Sequence, residues 1–449
     1  MFLPTLLAAL LHACTDAADT AAQTAADDTT AEDSASAVPP PAVEDYDFYF
    51  GDLHAHTGLS GDGGSSDFGD CVSDCGALAT LVEDARARGM DFMSITDHLN
   101  GSVGAADSLR YDQLLATLLA ADVPGEFVIV PGAELFFSHA EEGSYGHKNL
   151  YFFGDDAQLT DLSRAAIWPD QTSEVDSCQA IWRYQTGMED RFGPTMLIPH
   201  HPSSRLYTDW LCGSPDHVEA VEVYSRHGNS LGPSVSYDPM FHDITPEGSV
   251  HGAMDPEGMA WKMGFVGGTD SHDTRPGAVC ELDTQREEFP YGGGYTGVLL
   301  ERGELLDRGA IHRALSDRRV YATSGIRMPA LGVIYINNEP AGLTGERFGL
   351  ERDDDVRFEV QVSEEHDGFV QEVELYMTNR IVPMEEDGPG RWSWRSDGGT
   401  VPLWAYAELV IDGDAWYGED GCEDGGEDRS ERVWLSPSWF FLSQDTSEG

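Results

Sequence analysis

YDFYFGDLHAHTGLSGDG, residues 46–63, is the stretch on which the reading of the chain turns. Its first half is an apolar, aromatic-rich run that reads as a strand, and its second half is a glycine-rich turn. Between them stand His54 and His56. Residues two apart in a strand share a face, so both imidazoles reach the same side. One such pair is weak evidence for a metal site, because a lone buried histidine is usually a hydrogen-bonded core residue. The pattern recurs along the chain, however. DFMSITDH (91–98) ends in Asp97 and His98, FVIVPGAELFF (127–137) carries Glu134, TMLIPHH (195–201) ends in His200 and His201, and GFVGGTDSH (264–272) ends in Asp270, Ser271 and His272.

Helical runs separate these strands. GALATLVEDARARG (76–89) is amphipathic, a second helix is expected around 109–121, and ELLDRGAIHRALSDRR (304–319) leads into VYATSG. Such alternation predicts an α/β fold built from βαβ units. In a β/α barrel the C-terminal strand ends open onto one face, so polar groups remote in sequence meet in one pocket. From residue 328 no helical period remains: LGVIYINN, VRFEVQVS, EVELYMTN, LWAYAELVI and RVWLSPSWFF read as strands between Gly/Asp/Asn turns. The reading is therefore an α/β domain at 45–327 and a β-sandwich-like domain at 328–449. The acidic EDGCEDGGED (419–428) lacks the ligand spacing of an EF-hand and reads as a solvated loop.

Charge and cysteines bound the partners. A formal charge of −54, with Lys148 and Lys262 as the two lysines, gives a field that repels nucleic acid and anionic lipid. Residues 1–14, MFLPTLLAALLHAC, resemble a lipoprotein signal ending at Cys14, and the acidic low-complexity stretch 15–44 is expected to be a disordered tether. The expected location is the bacterial cell envelope, lipid-anchored or secreted. No other apolar run approaches the roughly 20 residues that span a bilayer. Cys71, Cys75, Cys178, Cys212, Cys280 and Cys422 are even in number, which allows up to three disulfides. Cys71 and Cys75 alternatively have zinc-like spacing, but no second pair accompanies them. Nothing in the sequence fixes an oligomeric state.

The ensemble DLHAHT with the later Asp62, ITDH, IPHHP and GGTDSH resembles the four motifs of the PHP (polymerase and histidinol phosphatase) superfamily, in order over residues 52–272. GHKNLYF, VEVYSRHG, DTRPG, GYTGVL, YATSG and WLSPSW extend the likeness to a bacterial branch classed as a domain of unknown function. The resemblance implies a distorted PHP-type (β/α)7 barrel. It also implies a ligand set: His54, His56, Asp62, His98, Glu134, His147, His201, Asp270 and His272, with Glu134 bridging. That set suits two or three divalent ions of zinc, manganese or iron. Asp67 and Asp70 compete with Asp62, and His139 competes with His147. His201, before the proline, matches the motif, which leaves His200 to point elsewhere.

The implied activity is hydrolysis of a small phosphorylated or other ester substrate by a metal-bridging hydroxide. Asp97 is read either as orienting a ligand imidazole or as a turn cap. Arg226 and Arg275 are candidates to grip a phosphate, and His227 is a candidate leaving-group acid. Two other readings are an amidohydrolase-type amide or lactone hydrolase, with Lys148 or Lys262 as bridging lysine, and a surface-binding protein with a vestigial metal site.

Overall fold

In the computed structural model, the described residues are 39–60, 76–99, 105–139, 144–168, 174–175, 177–204, 208–212, 218–240, 248–255, 260–272, 274–279, 291–396, 401–417 and 430–442. Outside them lie residues 1–38, Asp62, Asp67, Asp70, Cys71, Cys75, Cys280, Cys422 and the stretch 419–428.

The apolar run at residues 46–52 forms the strand Tyr46–Asp52. It pairs in parallel with Phe92–Met93, which pairs in parallel with Val128–Ile129. On its other side Tyr295–Glu301 runs antiparallel. Val320–Thr323, Ser430–Leu435, Trp404–Asp412, Ser438–Leu442 and Arg347–Leu350 continue this sheet, with Val370–Met377 and Arg380–Pro383 branching off, to give eleven strands. The sheet thus runs through residue 328, since Tyr321 pairs with Leu435 and Thr323 with Val433. Pro40 onward forms one compact unit.

The protein is mixed α/β with many strands and few helices. The closed barrel expected from the resemblance does not form among the described residues: the strands fall into four separate sheets. Two local features account for this. Gly132–His139 turns back as an antiparallel hairpin on Ser144–Phe152, which pairs antiparallel with Thr195–Pro199, so no parallel crossover links them. Where the polar strand ends gather, ladders shrink to single bridges, Ala55 to Ser271 and His98 to Glu134. Ala220–Ser225 and Gly264–Gly267 pair in parallel in a sheet of their own.

Beyond residue 328, Ala330–Ile336, Glu339–Leu343, Val356–Val362, Glu385–Glu386 and Arg391–Arg395 form an antiparallel sheet. Its Val333, Phe358 and Val360 share a core with Leu375, Leu409 and Val433 of the large sheet. The helix Arg308–Ser316 starts where Asp307 accepts from Ala310 N, which satisfies an otherwise orphaned donor. Cys178 opens the helix Cys178–Phe192 and is joined by a disulfide to Cys212.

Candidate metal centre

The site is assembled by backbone clamps that the sequence encodes in two buried aspartates. Asp52 closes the first strand and accepts hydrogen bonds from His54 N (3.0 Å), Thr269 N (3.0 Å), Thr269 Oγ1 (2.6 Å) and Gly277 N (2.8 Å). One carboxylate thereby ties the His54 turn to the Asp270 turn. Asp270 N then donates to His54 O and His56 N to Ser271 O, both at 2.7 Å. Asp97 does the same for the next strand, accepting from Thr57 N (2.6 Å) and Thr57 Oγ1 (2.7 Å). Of the two roles read from sequence, Asp97 thus takes that of a turn cap.

Glu134, on the hairpin strand, is the centre of the constellation and is 1% exposed. Its Oε2 lies 3.1 Å from His56 Nε2 and 3.3 Å from His54 Nε2. Its Oε1 lies 3.1 Å from His200 Nε2, 3.3 Å from His98 Nδ1, and in contact with His147 Nδ1. Asp270 is divided in the same way. Oδ1 faces His54 and His56 at 3.3 Å and His272 at 3.5 Å, whereas Oδ2 lies 3.1 Å from His227 Nε2. His54, His56, Glu134 and Asp270 form one set whose ligand atoms are mutually within 4.8 Å; Glu134, His147, His200 and His201 form a second, and His56, His98 and His272 a third. The side chains of His98, His147 and His227 are 18%, 16% and 14% exposed, so the centre opens to solvent on their side.

His201 and Asp270 both adopt a positive φ, +31° and +51°. That region is costly for residues other than glycine, and such strain gathers at functional sites. Alternation holds within a strand, but Thr195–Pro199 ends before the doubled histidine, and the rings of His200 and His201 lie with centroids 4.2 Å apart. The expectation that His200 points elsewhere is therefore corrected.

Glu222 escaped the sequence reading. It lies in the wholly buried strand Ala220–Ser225, and its Oε2 accepts from His54 Nδ1 at 2.7 Å. The signal was a lone acid in the apolar run AVEVYS. Gly268 makes room for this pair, because a Cβ there would approach His54 Cβ to 2.6 Å and Glu222 Oε2 to 2.9 Å. Arg226 is fully buried and donates from Nη2 to the Ala278 carbonyl at 3.0 Å. Arg275 is half-buried. Lys148 donates to Tyr145 O at 2.7 Å, its side chain on the opposite strand face from His147.

The electrostatics suit a cation. Burial opposes ionisation of Glu134, but His200, His98 and His147 hold it well below the usual carboxylate range. Burial likewise opposes the Asp270 charge, and His54 and His227 hold that group well below its usual value. Burial disfavours a charged His56, yet the neighbouring Asp270 and Glu134 carboxylates raise it to about 10. His200, by contrast, is lowered to about 3, chiefly by burial. Both His200 ring nitrogens and Asp270 Oδ1 are buried without a well-formed hydrogen bond. Imidazole lone pairs and carboxylates crowded together with unmet bonding capacity are the donor set of a divalent metal centre. The residues present fit that group.

Comparison with models of known protein families finds none that matches the chain, and a search of curated proteins finds no match.

Proposed function

We propose that the chain is a metal-dependent hydrolase of the PHP type that acts on phosphate esters. The observation that carries this is the division of Glu134, whose two oxygens each face a different group of imidazoles. A carboxylate so placed is built to bridge two ions. His54, His56 and Asp270 complete the position at Oε2, His147 and His200 the position at Oε1, and His98 and His272 a third beside His56. Bound there, the ions supply an acidified water and offset charge developing on the ester oxygens.

The protein groups hold this centre and admit its substrate. Divalent ions held there would offset the Glu134 and Asp270 carboxylates, which would let the pocket admit an anionic ester despite the chain's overall charge. Arg226 is buried and donates to the Ala278 carbonyl from Nη2, and it remains with Arg275 a candidate to grip the phosphate. A lysine-bridged amidohydrolase centre has less support, since Lys148 is directed at Tyr145 O. The parallel trio beginning with Tyr46–Asp52 has candidate ligands at its C-terminal ends, which is the placement the PHP reading expects. The Cys178–Cys212 disulfide supports an oxidising compartment. In this reading Cys14 anchors the chain in the bacterial envelope, and Cys14→Ala should abolish partition into membranes.

Hydrolysis of a chromogenic phosphomonoester and phosphodiester, with manganese or zinc added, tests the activity. Metal-dependent turnover of either is expected. Bound ions with turnover of amide or lactone substrates alone would overturn the phosphoesterase assignment.

A further inference from the structure

The doubled histidine of IPHHP has more imidazole than the Glu134 positions need. His147, His200 and His201 all lie in the set around Glu134 Oε1, where Glu134, His147 and His200 alone supply three ligands, with His200 Nε2 at 3.1 Å. His201 Nδ1 is engaged with Ser204 Oγ at 3.1 Å, which leaves its Nε2 as the ligand nitrogen. His201 stands past the end of the strand Thr195–Pro199, at a positive φ of +31°. Its ring meets that of His227 at a separation of 4.9 Å. The ligand atoms of His201, His227 and Asp270 lie mutually within 4.8 Å. Asp270 Oδ2, 3.1 Å from His227 Nε2, is the oxygen that the His54 and His56 position does not use.

We propose that Asp270 is a second bridging carboxylate, and that Asp270 Oδ2, His201 and His227 hold a further divalent ion beyond the positions built on Glu134 and His98. This rests on the metal-centre reading above. Two nitrogens and one oxygen suit an ion of the zinc, manganese or iron class. Three protein ligands leave coordination open for an outside oxygen ligand, and the partial exposure of His227 places that opening on the solvent side. The class of ligand is an oxyanion. A histidine committed to an ion cannot also protonate a leaving group, so this assignment removes His227 from the role of general acid.

The test is zinc stoichiometry by elemental mass spectrometry on the full chain reconstituted with zinc alone, coupled to anomalous diffraction at the zinc edge. The native chain should show an anomalous peak about 2.0–2.2 Å from His227 Nε2 and Asp270 Oδ2. His227→Ala should lose one ion per chain and keep the remaining peaks. His227→Gln separates a ligand from a hydrogen-bonding support, because the amide can still donate to Asp270: loss of the same single ion is expected. An unchanged ion count in either variant, or peaks at the Glu134 positions with none beside His227, would overturn the proposal. A chain that binds no zinc at all would overturn the metal-centre reading first, and this one with it.

Discussion

Two buried glutamates make opposite use of burial. Glu408, on Trp404–Asp412 of the large sheet, is 3% exposed and accepts from Arg432 Nε at 3.0 Å and from Trp434 Nε1 at 2.8 Å. Each oxygen has a donor that carries its own proton, and the group is complete as it stands. Glu134 is equally buried, but its neighbours are imidazoles, which offer a lone pair as readily as a proton. Glu408 is raised by burial, whereas the imidazoles around Glu134 overcome burial and hold it low. A buried acid among dedicated donors supports a fold. A buried acid among imidazoles offers a set of ligand atoms that could hold a cation.

Substitutions should separate the two regions. Glu134→Gln removes the bridge, and its ion affinity and hydrolysis should fall by more than the roughly 10–100-fold that outer partners of a metal site are worth. Glu222→Ala leaves every ligand in place but frees His54 Nδ1, and should weaken zinc binding by about 10–100-fold in a competition titration with a chromogenic chelator. Glu408→Ala strands two buried donors, and should cost about 1–3 kcal/mol in denaturant unfolding with no change in ion content. Loss of ions in Glu408→Ala, or full ion content in Glu134→Gln, would break the contrast.

A smaller effect sharpens it. In the metal-free chain His56 is raised from an ordinary 6.5 to about 10 by its carboxylate neighbours, against burial. A raised imidazole contributes its full stabilisation below about 6.5, and that contribution disappears as pH climbs through about 10. Ion binding requires the neutral ring, so affinity for zinc rises across the same window. Thermal melts from neutral to alkaline pH should therefore show the metal-free chain losing stability while the difference from the zinc-loaded chain widens. Parallel curves would contradict the sign.

Much of this candidate centre was legible in the sequence because most of its residues stand just past strand ends, although Glu134 and His147 lie within Gly132–His139 and Ser144–Phe152. His54, His56, His98, Glu134, His147, His201, Asp270 and His272 are brought together as expected. Asp62 lies outside the described residues. The expectation for His200 fails because strand alternation does not extend past Pro199, where the strand ends. Glu222 reaches a histidine 168 residues away, a pairing that only the assembled sheets create. Sheet closure was illegible for the same reason. The period of Gly132–His139 announces a strand, but its antiparallel turn onto Ser144–Phe152 is decided by packing.

The central claim is that these strand ends hold a multinuclear metal centre bridged by Glu134. Elemental mass spectrometry of the purified full chain, after reconstitution with zinc or manganese and removal of loosely bound ions, addresses it most directly. Two or more divalent ions per chain, with fewer in Glu134→Gln, is the expected result. A native chain that retains none, or a Glu134→Gln chain that retains them all, would contradict it.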